Sequence, residues 1–241
     1  MAEFSDLIRS RRSVRDFEDR EIPDDVLRAI LEDAKWAPSW CNTHPYFICI
    51  ARGERKDRLR ASLCGLYDSA TAANSGGVFA KVGLWATGGA PDGDYNVMLK
   101  YPPNLQKHRI DCAKGLYGLM GIAREDKAAR EAQDRRNFEF FDAPCVMFIF
   151  VQGDMGPYSP LDAGFYMNTL MLAAHARGVG TCAQGSLGMW GSPVRAEYAG
   201  KIPEGYNLLC GLSLGYAKDP SVSKINGFNP GRAEVECAGL D

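Results

Sequence analysis

The sequence predicts one α+β domain, in which helices flank a central sheet of mixed or antiparallel strands. Three apolar runs have the length of buried strands: 46–51, 145–151 and 206–215. Helical patterns separate these runs, and they include a long apolar helix over 159–177 that needs cover on nearly every side. No internal repeat or linker divides the 241 residues, so we predict a single domain over 1–241.

The composition excludes several classes of protein. Apolar residues make up 46% and charged residues 24% of the chain, which is ordinary for a globular domain with a large core. The net charge of −2 gives no reason to expect nucleic acid as a partner. The N-terminus lacks an apolar signal, and the run at 145–151 is too short to span a membrane. We therefore expect a cytoplasmic protein without a membrane partner.

The eight cysteines and three histidines do not form a metal-binding pattern. No two cysteines are spaced as C-x-x-C, and each histidine stands alone. Several cysteines lie in the apolar strand-like runs, where cysteine behaves as a small hydrophobic residue. We expect no disulfide framework and no metal site.

The first third of the chain alternates between helices and short connections. Residues 3–10 fit a short helix, and a second helix opens at Asp24 and must end before Pro38. A loop over 38–45 leads into the strand at 46–51. A further helix is predicted over 54–63.

Residues 64–109 are predicted to be the least regular part of the chain. They contain Gly76-Gly77, Gly88-Gly89 and Pro102-Pro103, and irregular segments of this length are usually lids or binding loops. Trp85, Tyr95 and Tyr101 could stack on a flat ligand. The alternative is that these aromatic residues only fix a surface loop. Helices are predicted again over 110–124 and 126–138.

The central apolar helix carries apparent start and stop signals. Ser159 fits an N-cap with Asp162 three residues later, and Gly178 fits the left-handed residue that ends a helix. The small residues of 180–185 predict a loop whose backbone can approach a flat ligand closely. A short helix over 193–199 and a polar tail from Lys218 complete the chain.

Two motif-like features carry no function on inspection. Residues 211–215 match G-x-S-x-G, but no helix is predicted after them and every histidine precedes the serine, contrary to the hydrolase pattern. His175 lies on a helix, where a packed or interface histidine is a simpler interpretation than a catalytic one.

A basic cluster follows the first helix. Arg11, Arg12 and Arg15 occupy one short segment together with Ser13, and Phe17 closes it. A solvated face or a targeting signal is one interpretation. The other is a phosphate site, because guanidinium groups and a hydroxyl match phosphate oxygens.

Four stretches in the same order resemble the FMN-dependent nitroreductase family. They are R-R-S-V-R-D-F (11–17), W-A-P-S-W-C-N-T-H-P (36–45), the central helix with G-V-G-T-C-A-Q-G (178–185), and N-P-G-R (229–232). The middle of the chain, with Y-P-P-N and N-F-E-F-F-D-A-P, resembles the branch that contains nitrobenzoate reductases. The resemblance implies a nitroreductase-like fold and an intertwined homodimer with flavins at the subunit interface.

The resemblance also implies a role for individual residues. Arg11, Ser13 and Arg232 would hold the FMN phosphate and ribityl chain, with Arg12 beside them. Pro38, Ser39 and Asn42 would reach the flavin of the neighbouring subunit. The residues implied along the flavin ring are Arg15 at its pyrimidine end and Ala183, Gln184 and Gly185 at its N5 side. Arg15, Gln184 and Gly185 are thus the candidate catalytic residues.

The implied activity is electron transfer from NADH or NADPH through FMN to a small nitroaromatic acceptor. No dinucleotide-binding fingerprint is present, so the nicotinamide and the acceptor would use one flavin face in turn, by a ping-pong mechanism. Three alternatives remain open. The same fold could act on quinones, enones or halogenated phenols, it could fragment flavin, or the protein could bind flavin without turnover. Residues 64–109 would select the acceptor.

Overall fold

The computed structural model describes residues 3–232. The helices are α1 (Phe4–Ser10), α2 (Asp24–Ala34), α3 (Gly53–Ser75), α4 (Gly77–Ala86), α5 (Pro103–Leu119), α6 (Lys127–Arg135), α7 (Tyr158–His175) and α8 (Ser192–Glu197). The strands are β1 (Tyr46–Arg52), β2 (Cys145–Gln152), β3 (Gly180–Gln184) and β4 (Tyr206–Gly215). Residues 233–241, which include Cys237 and the last part of the predicted polar tail, lie outside the described range.

The four strands form one antiparallel sheet in the order β1-β2-β4-β3. The predicted α+β class is confirmed, and of the two predicted sheet types the structure has the antiparallel one. Strand β2 lies in the centre and is buried over seven of its eight residues. Its continuous apolar run, C-V-M-F-I-F-V, is typical of a strand covered on both faces.

The two faces of the sheet pack against different helices. Phe148 of β2 lies on the face that packs against Leu59 and Leu63 of α3 and Val194 of α8. The alternate residues of β2, such as Ile149, lie in a second cluster with residues of α2 and α7. Burying both faces of one sheet supplies most of the apolar area removed from water in this fold.

The prediction for residues 64–109 is wrong over most of its length. Helix α3 continues to Ser75, α4 covers Gly77–Ala86 and α5 begins at Pro103, so only the stretch 87–102 is irregular. Gly76 and Gly77 form the break between α3 and α4, and Gly77 has the positive φ of 80° that such a turn favours. The glycine and proline residues therefore mark helix ends instead of one long loop.

The predicted start of the central helix is also wrong. Helix α7 begins at Tyr158, and Ser159 is fully buried inside the helix with no hydrogen-bond partner for its hydroxyl. Asp162 does not complete a capping box, because its carboxylate accepts a hydrogen bond from the N–H of Trp40 at 2.9 Å. The predicted stop is correct, since Gly178 follows the helix with a φ of 73°.

Residues 180–184 form strand β3 instead of the predicted loop. They pair with residues 211–215 of β4, so that their backbone groups are held in a ladder. Only Gly185 of the predicted loop lies beyond the strand, at the start of a short 3₁₀ helix.

No helix within residues 3–232 has the length and apolar character that crossing a membrane requires. The seven cysteines of this range are free, and the range contains no group of side chains suited to a metal ion.

Candidate functional site

A cavity of about 360 Å³ opens at the β3 edge of the sheet. Its walls are the segment after α1, the C-terminal end of α7, the start of β3 and the segment after β4. The lining residues with polar side chains are Ser10, Arg11, Arg12, His175, Thr181, Lys218 and Asn226. Its volume lies in the range of ordinary small-molecule sites.

Backbone pairing fixes the basic cluster at this edge. Ser13 forms a parallel bridge with Thr181 of β3, and the N–H of Val14 donates to the Thr181 carbonyl at 2.9 Å. Phe17 forms an antiparallel bridge with Ala217 and is completely buried. The arginines therefore occupy a strand-like segment that is anchored by a core aromatic residue.

The cavity presents the positive charge of Arg11 and Arg12, which form no salt bridge within residues 3–232, whereas the Lys218 ammonium in the same wall pairs with the Asp16 carboxylate at 2.8 Å. Partial burial lowers the pKa of Arg11, and the nearby cation of Arg232 lowers it further. His175 has a pKa below its ordinary value because of burial and because Arg11 and Arg12 face it. Cations that are close together and partly desolvated are stabilised by a bound anion, so this wall suits a phosphate group.

Arg15 lies in the same segment, is half-buried, and is not among the residues that line the cavity. Its guanidinium Nη1 donates to the Ser13 carbonyl at 3.4 Å, and its backbone N–H donates to the side chain of Asn226 at 2.9 Å. Burial raises the pKa of the neighbouring Cys182 thiol to about 11, although Arg15 and Arg11 act in the opposite direction. Cys182 is therefore a neutral thiol between two cations.

The end of β3 divides its three candidate residues between two sides of the sheet. Ala183 and Gly185 are exposed, whereas Gln184 is buried. The Gln184 amide donates to the Asn137 carbonyl at 2.8 Å and accepts from the Ser213 hydroxyl. The Gln184 side chain therefore fixes the sheet, and only the flanking residues present a surface on which a flat ligand can lie.

Pro38, Ser39 and Asn42 are not brought to the cavity within one chain. Their loop packs at the N-terminal end of α7, where Trp40 stacks on Tyr158 at 4.4 Å, whereas the cavity lies at the C-terminal end beside His175. An 18-residue helix separates the two places by about 27 Å. The loop holds Cys41, Asn42 and His44 at positive φ, a costly conformation for residues other than glycine.

Helix α7 also has an uncovered apolar strip. Leu161 is 51% and Phe165 is 43% exposed, and the two residues are one helical turn apart. Within the described chain, α7 is covered by the sheet and by α2 and α1, and this strip is the part of the predicted cover that a single chain does not supply.

Sequence reasoning missed five polar residues of the cavity wall: Ser10, His175, Thr181, Lys218 and Asn226. His175 was assigned a packing role, and its ring contacts the Ser10 hydroxyl at 2.8 Å inside the cavity wall. Thr181 and Lys218 reach the cavity through long-range backbone pairing, and Asn226 reaches it through side-chain bonds to distant backbone groups. Neither kind of contact leaves a local signal in the sequence.

An α+β domain with a cation-lined cavity at the edge of its sheet defines a ligand-binding protein suited to a phosphate ester. Comparison with known proteins makes the class specific. The sequence profile of the nitroreductase family matches residues 8–216, and the chain belongs to this family.

Relatives and solved structures agree with that assignment. The chain is 32% identical to a 4-nitrobenzoate reductase of a Nocardioides species, over 94% of this chain and 86% of that protein. It superposes with a TM-score of 0.78 on the FMN-dependent nitroreductase NfnB from Mycobacterium smegmatis in complex with NADPH, at 32% identity over 95% and 93% of the two chains. The TM-score is 0.80 for the FMN- and NADPH-dependent nitroreductase NfnB from Sphigopyxis strain HMH, at 28% identity over 98% and 99%.

Proposed function

We propose that this protein is an FMN-dependent oxidoreductase that transfers electrons from NADPH, or NADH, to nitroaromatic compounds. The observation that carries the proposal is the cavity, whose wall holds Arg11 and Arg12 without a carboxylate partner among residues 3–232 and includes the start of β3. Relatives named for FMN, NADPH and nitrobenzoate support the same cofactor, donor and acceptor class. The free cysteines of the described range fit a cytoplasmic site of action.

The residues present fit the parts of FMN. Arg11, Arg12 and Arg232 supply cations for the phosphate, and Ser13 lies in the same segment for the ribityl chain. Ala183 and Gly185 offer an exposed and sterically small surface for the ring, and a Cβ at Gly185 would meet nothing within 4 Å. The chemistry that FMN supplies is acceptance of a hydride from NADPH and delivery of electrons to the acceptor.

Two groups of the chain are proposed to support that chemistry. Arg15 provides a fixed cation for the negative charge that develops on the pyrimidine side of a reduced flavin. Gly185 begins a 3₁₀ helix, and the first N–H groups of a helix have no acceptor within it. The Gly185 N–H is therefore free to donate to the ring. Gln184 is proposed to contact the flavin through its backbone, because its side chain is already hydrogen-bonded to Asn137 and Ser213.

We propose that the working unit is a homodimer with two flavin sites between its subunits. The loop of Pro38, Ser39 and Asn42 lies about 27 Å from the cavity of its own chain, measured along α7. A symmetric partner can bring its own copy of that loop to the cavity. The exposed strip of Leu161 and Phe165 would be covered by the same contact.

The experiment that tests the proposed function uses the purified protein. It is expected to be yellow, to release FMN on heating, and to lose its colour when NADPH is added without oxygen. A flavin-binding protein without turnover would keep its colour. Quinones, enones and halogenated phenols are the alternative acceptors to compare with a nitroarene.

We propose that part of the segment 64–109 acts as a lid that selects the acceptor within this single domain. Within it, residues 89–94 are fastened to the fold: Gly93 donates to the Met189 carbonyl at 3.0 Å, and Asp94 pairs with Arg195 at 2.6 Å. The surface of α4 is different, because Val78, Phe79 and Trp85 are 75%, 92% and 79% exposed. Phe79 and Trp85 of α4 lie shortly before the anchored residues 89–94 in the sequence, and their exposed rings suit contact with a flat acceptor.

Alanine substitutions test this lid. Trp85→Ala and Tyr101→Ala are expected to change the ratio of kcat/KM for a nitroarene over a quinone by about tenfold, the lower end of hydrophobic discrimination, while FMN content stays constant. Tyr95→Ala is the matched control, because Tyr95 packs against the core and is expected to reduce stability instead. Equal effects on both acceptors would contradict the lid.

A further inference from the structure

Asn226 connects the two chain segments that carry the cations of the cavity. It is 5% exposed, and its side-chain oxygen accepts the backbone N–H of Arg15 at 2.9 Å. Its amide nitrogen donates to the carbonyl of Asp16 at 2.7 Å and to the carbonyl of Lys218 at 2.9 Å. One donor bond to each carbonyl uses both amide hydrogens, so the side chain is committed to holding the backbone.

Asp16 adds a second connection between the same segments. Its carboxylate accepts hydrogen bonds from the Lys218 ammonium and from the Ser223 hydroxyl, both at 2.8 Å. The Lys218 N–H donates to the Asp16 carbonyl at 3.2 Å. The segment with Arg11 and Arg12 is thus joined to the segment with Lys218 by the bonds of Asp16 as well as by those of Asn226.

Backbone pairing also joins the two segments: Phe17 bridges Ala217, and the Glu18 N–H donates to the Tyr216 carbonyl at 2.8 Å. Asn226 acts nearer to the cations, because it bonds the backbone of Arg15 and of Lys218 themselves. A neutral buried amide that bonds backbone groups from both segments can hold them at a fixed separation before an anion arrives.

We propose that Asn226 is a positioning residue that sets the spacing of the cations in the phosphate-binding wall, and so determines the preference of the site for a phosphorylated flavin. This inference rests on the proposed function, because it takes the anion to be the phosphate of FMN. Pre-organised charges bind more tightly than charges that must be gathered on binding. Loss of Asn226 therefore weakens the contact with the phosphate more than any contact with the ring.

The test compares FMN with riboflavin, which has the same ring and ribityl chain but no phosphate. Dissociation constants for both are measured by flavin fluorescence on the full-length protein stripped of its flavin. Asn226→Ala is expected to weaken FMN binding by about tenfold or more, which is the cost of losing a hydrogen bond between a displaced cation and the phosphate. The affinity for riboflavin is expected to change much less. Asn226→Ser is the second variant, because its hydroxyl fills part of the buried space.

Asn207→Ala is the matched control. Asn207 lies near the start of β4 and pairs with Val151. The cavity lies beyond the other end of β4, beside Ala217 and Lys218. The control is expected to leave the ratio of FMN to riboflavin affinity unchanged, even where it lowers the melting temperature. If Asn226 had only a structural role, Asn226→Ala would likewise leave the ratio of FMN to riboflavin affinity unchanged.

The outcomes separate the inference from the proposed function. A fall in the FMN-to-riboflavin affinity ratio in Asn226→Ala or Asn226→Ser, but not in Asn207→Ala, supports the inference. Equal weakening of both flavins, no weakening of either, or failure of both 226 variants to fold assigns Asn226 a structural role and overturns it. If the wild-type protein itself binds neither flavin, the proposed function fails instead.

Discussion

Arg11→Ala is expected to remove FMN while the fold stays intact. Arg11 lines the cavity, is half-buried and has no carboxylate partner among residues 3–232, so its removal leaves no acid of that range unpaired. Loss of a hydrogen bond to a charged group costs about 1.5–3 kcal/mol, which corresponds to roughly tenfold to hundredfold in affinity. The measurement is the FMN dissociation constant, with circular dichroism as the check on folding.

Arg28→Ala controls for the loss of one positive charge. Arg28 is exposed on α2, away from the cavity wall, and its removal is expected to leave FMN affinity unchanged. Arg11→Lys should recover part of the affinity, because lysine keeps the charge but not the planar fork that matches phosphate. An Arg11→Ala protein that binds FMN as tightly as the wild type would place the phosphate elsewhere.

Phe165→Asp is expected to convert a dimer into monomers that no longer retain flavin. Phe165 belongs to the exposed strip of α7, and a carboxylate buried there without a partner would cost several kcal/mol. Light scattering is expected to give twice the chain mass of 26.4 kDa for the wild type and about one chain mass for the variant. Flavin should be lost together with the partner's loop of Pro38, Ser39 and Asn42.

Ala199→Asp places the same charge on the other side of the molecule. Ala199 is exposed just after α8, which packs on the sheet face opposite α7. This variant is expected to remain dimeric and yellow. A wild-type protein with the mass of one chain and with bound flavin would exclude the dimer and leave the loop at residues 38–42 without a role at the site.

The strands of the core were predictable because they carry their own signal. The continuous apolar runs of β1, β2 and β4 place each strand within a residue of its observed ends. Strand β3 was missed because its sequence, G-T-C-A-Q, is short and not apolar throughout. Its extended form depends on pairing with β4 and with Ser13, which are distant in sequence. Local propensity could not indicate that pairing.

The site was predictable where it depends on local motifs and not where it depends on topology. The basic cluster was identified from Arg11, Arg12 and Ser13 alone. Lys218 joins it because Phe17 pairs with Ala217, and Asn226 joins it through side-chain bonds to the backbone of Arg15, Asp16 and Lys218. No local pattern indicates either contact. Ser159 was misassigned for a related reason: it resembles an N-cap, but packing of the whole helix against the sheet buries it inside the first turn.

The central claim is that this chain uses bound FMN to pass electrons from NADPH to a nitroarene. The most direct measurement is an anaerobic spectral titration of the purified protein in two steps. Addition of NADPH is expected to bleach the flavin absorbance, and subsequent addition of 4-nitrobenzoate, after the oxidised nicotinamide has been removed, is expected to restore it. Bleaching that no nitroarene reverses would contradict the assigned acceptor class. A purified protein that contains no flavin and takes up none would contradict the account as a whole.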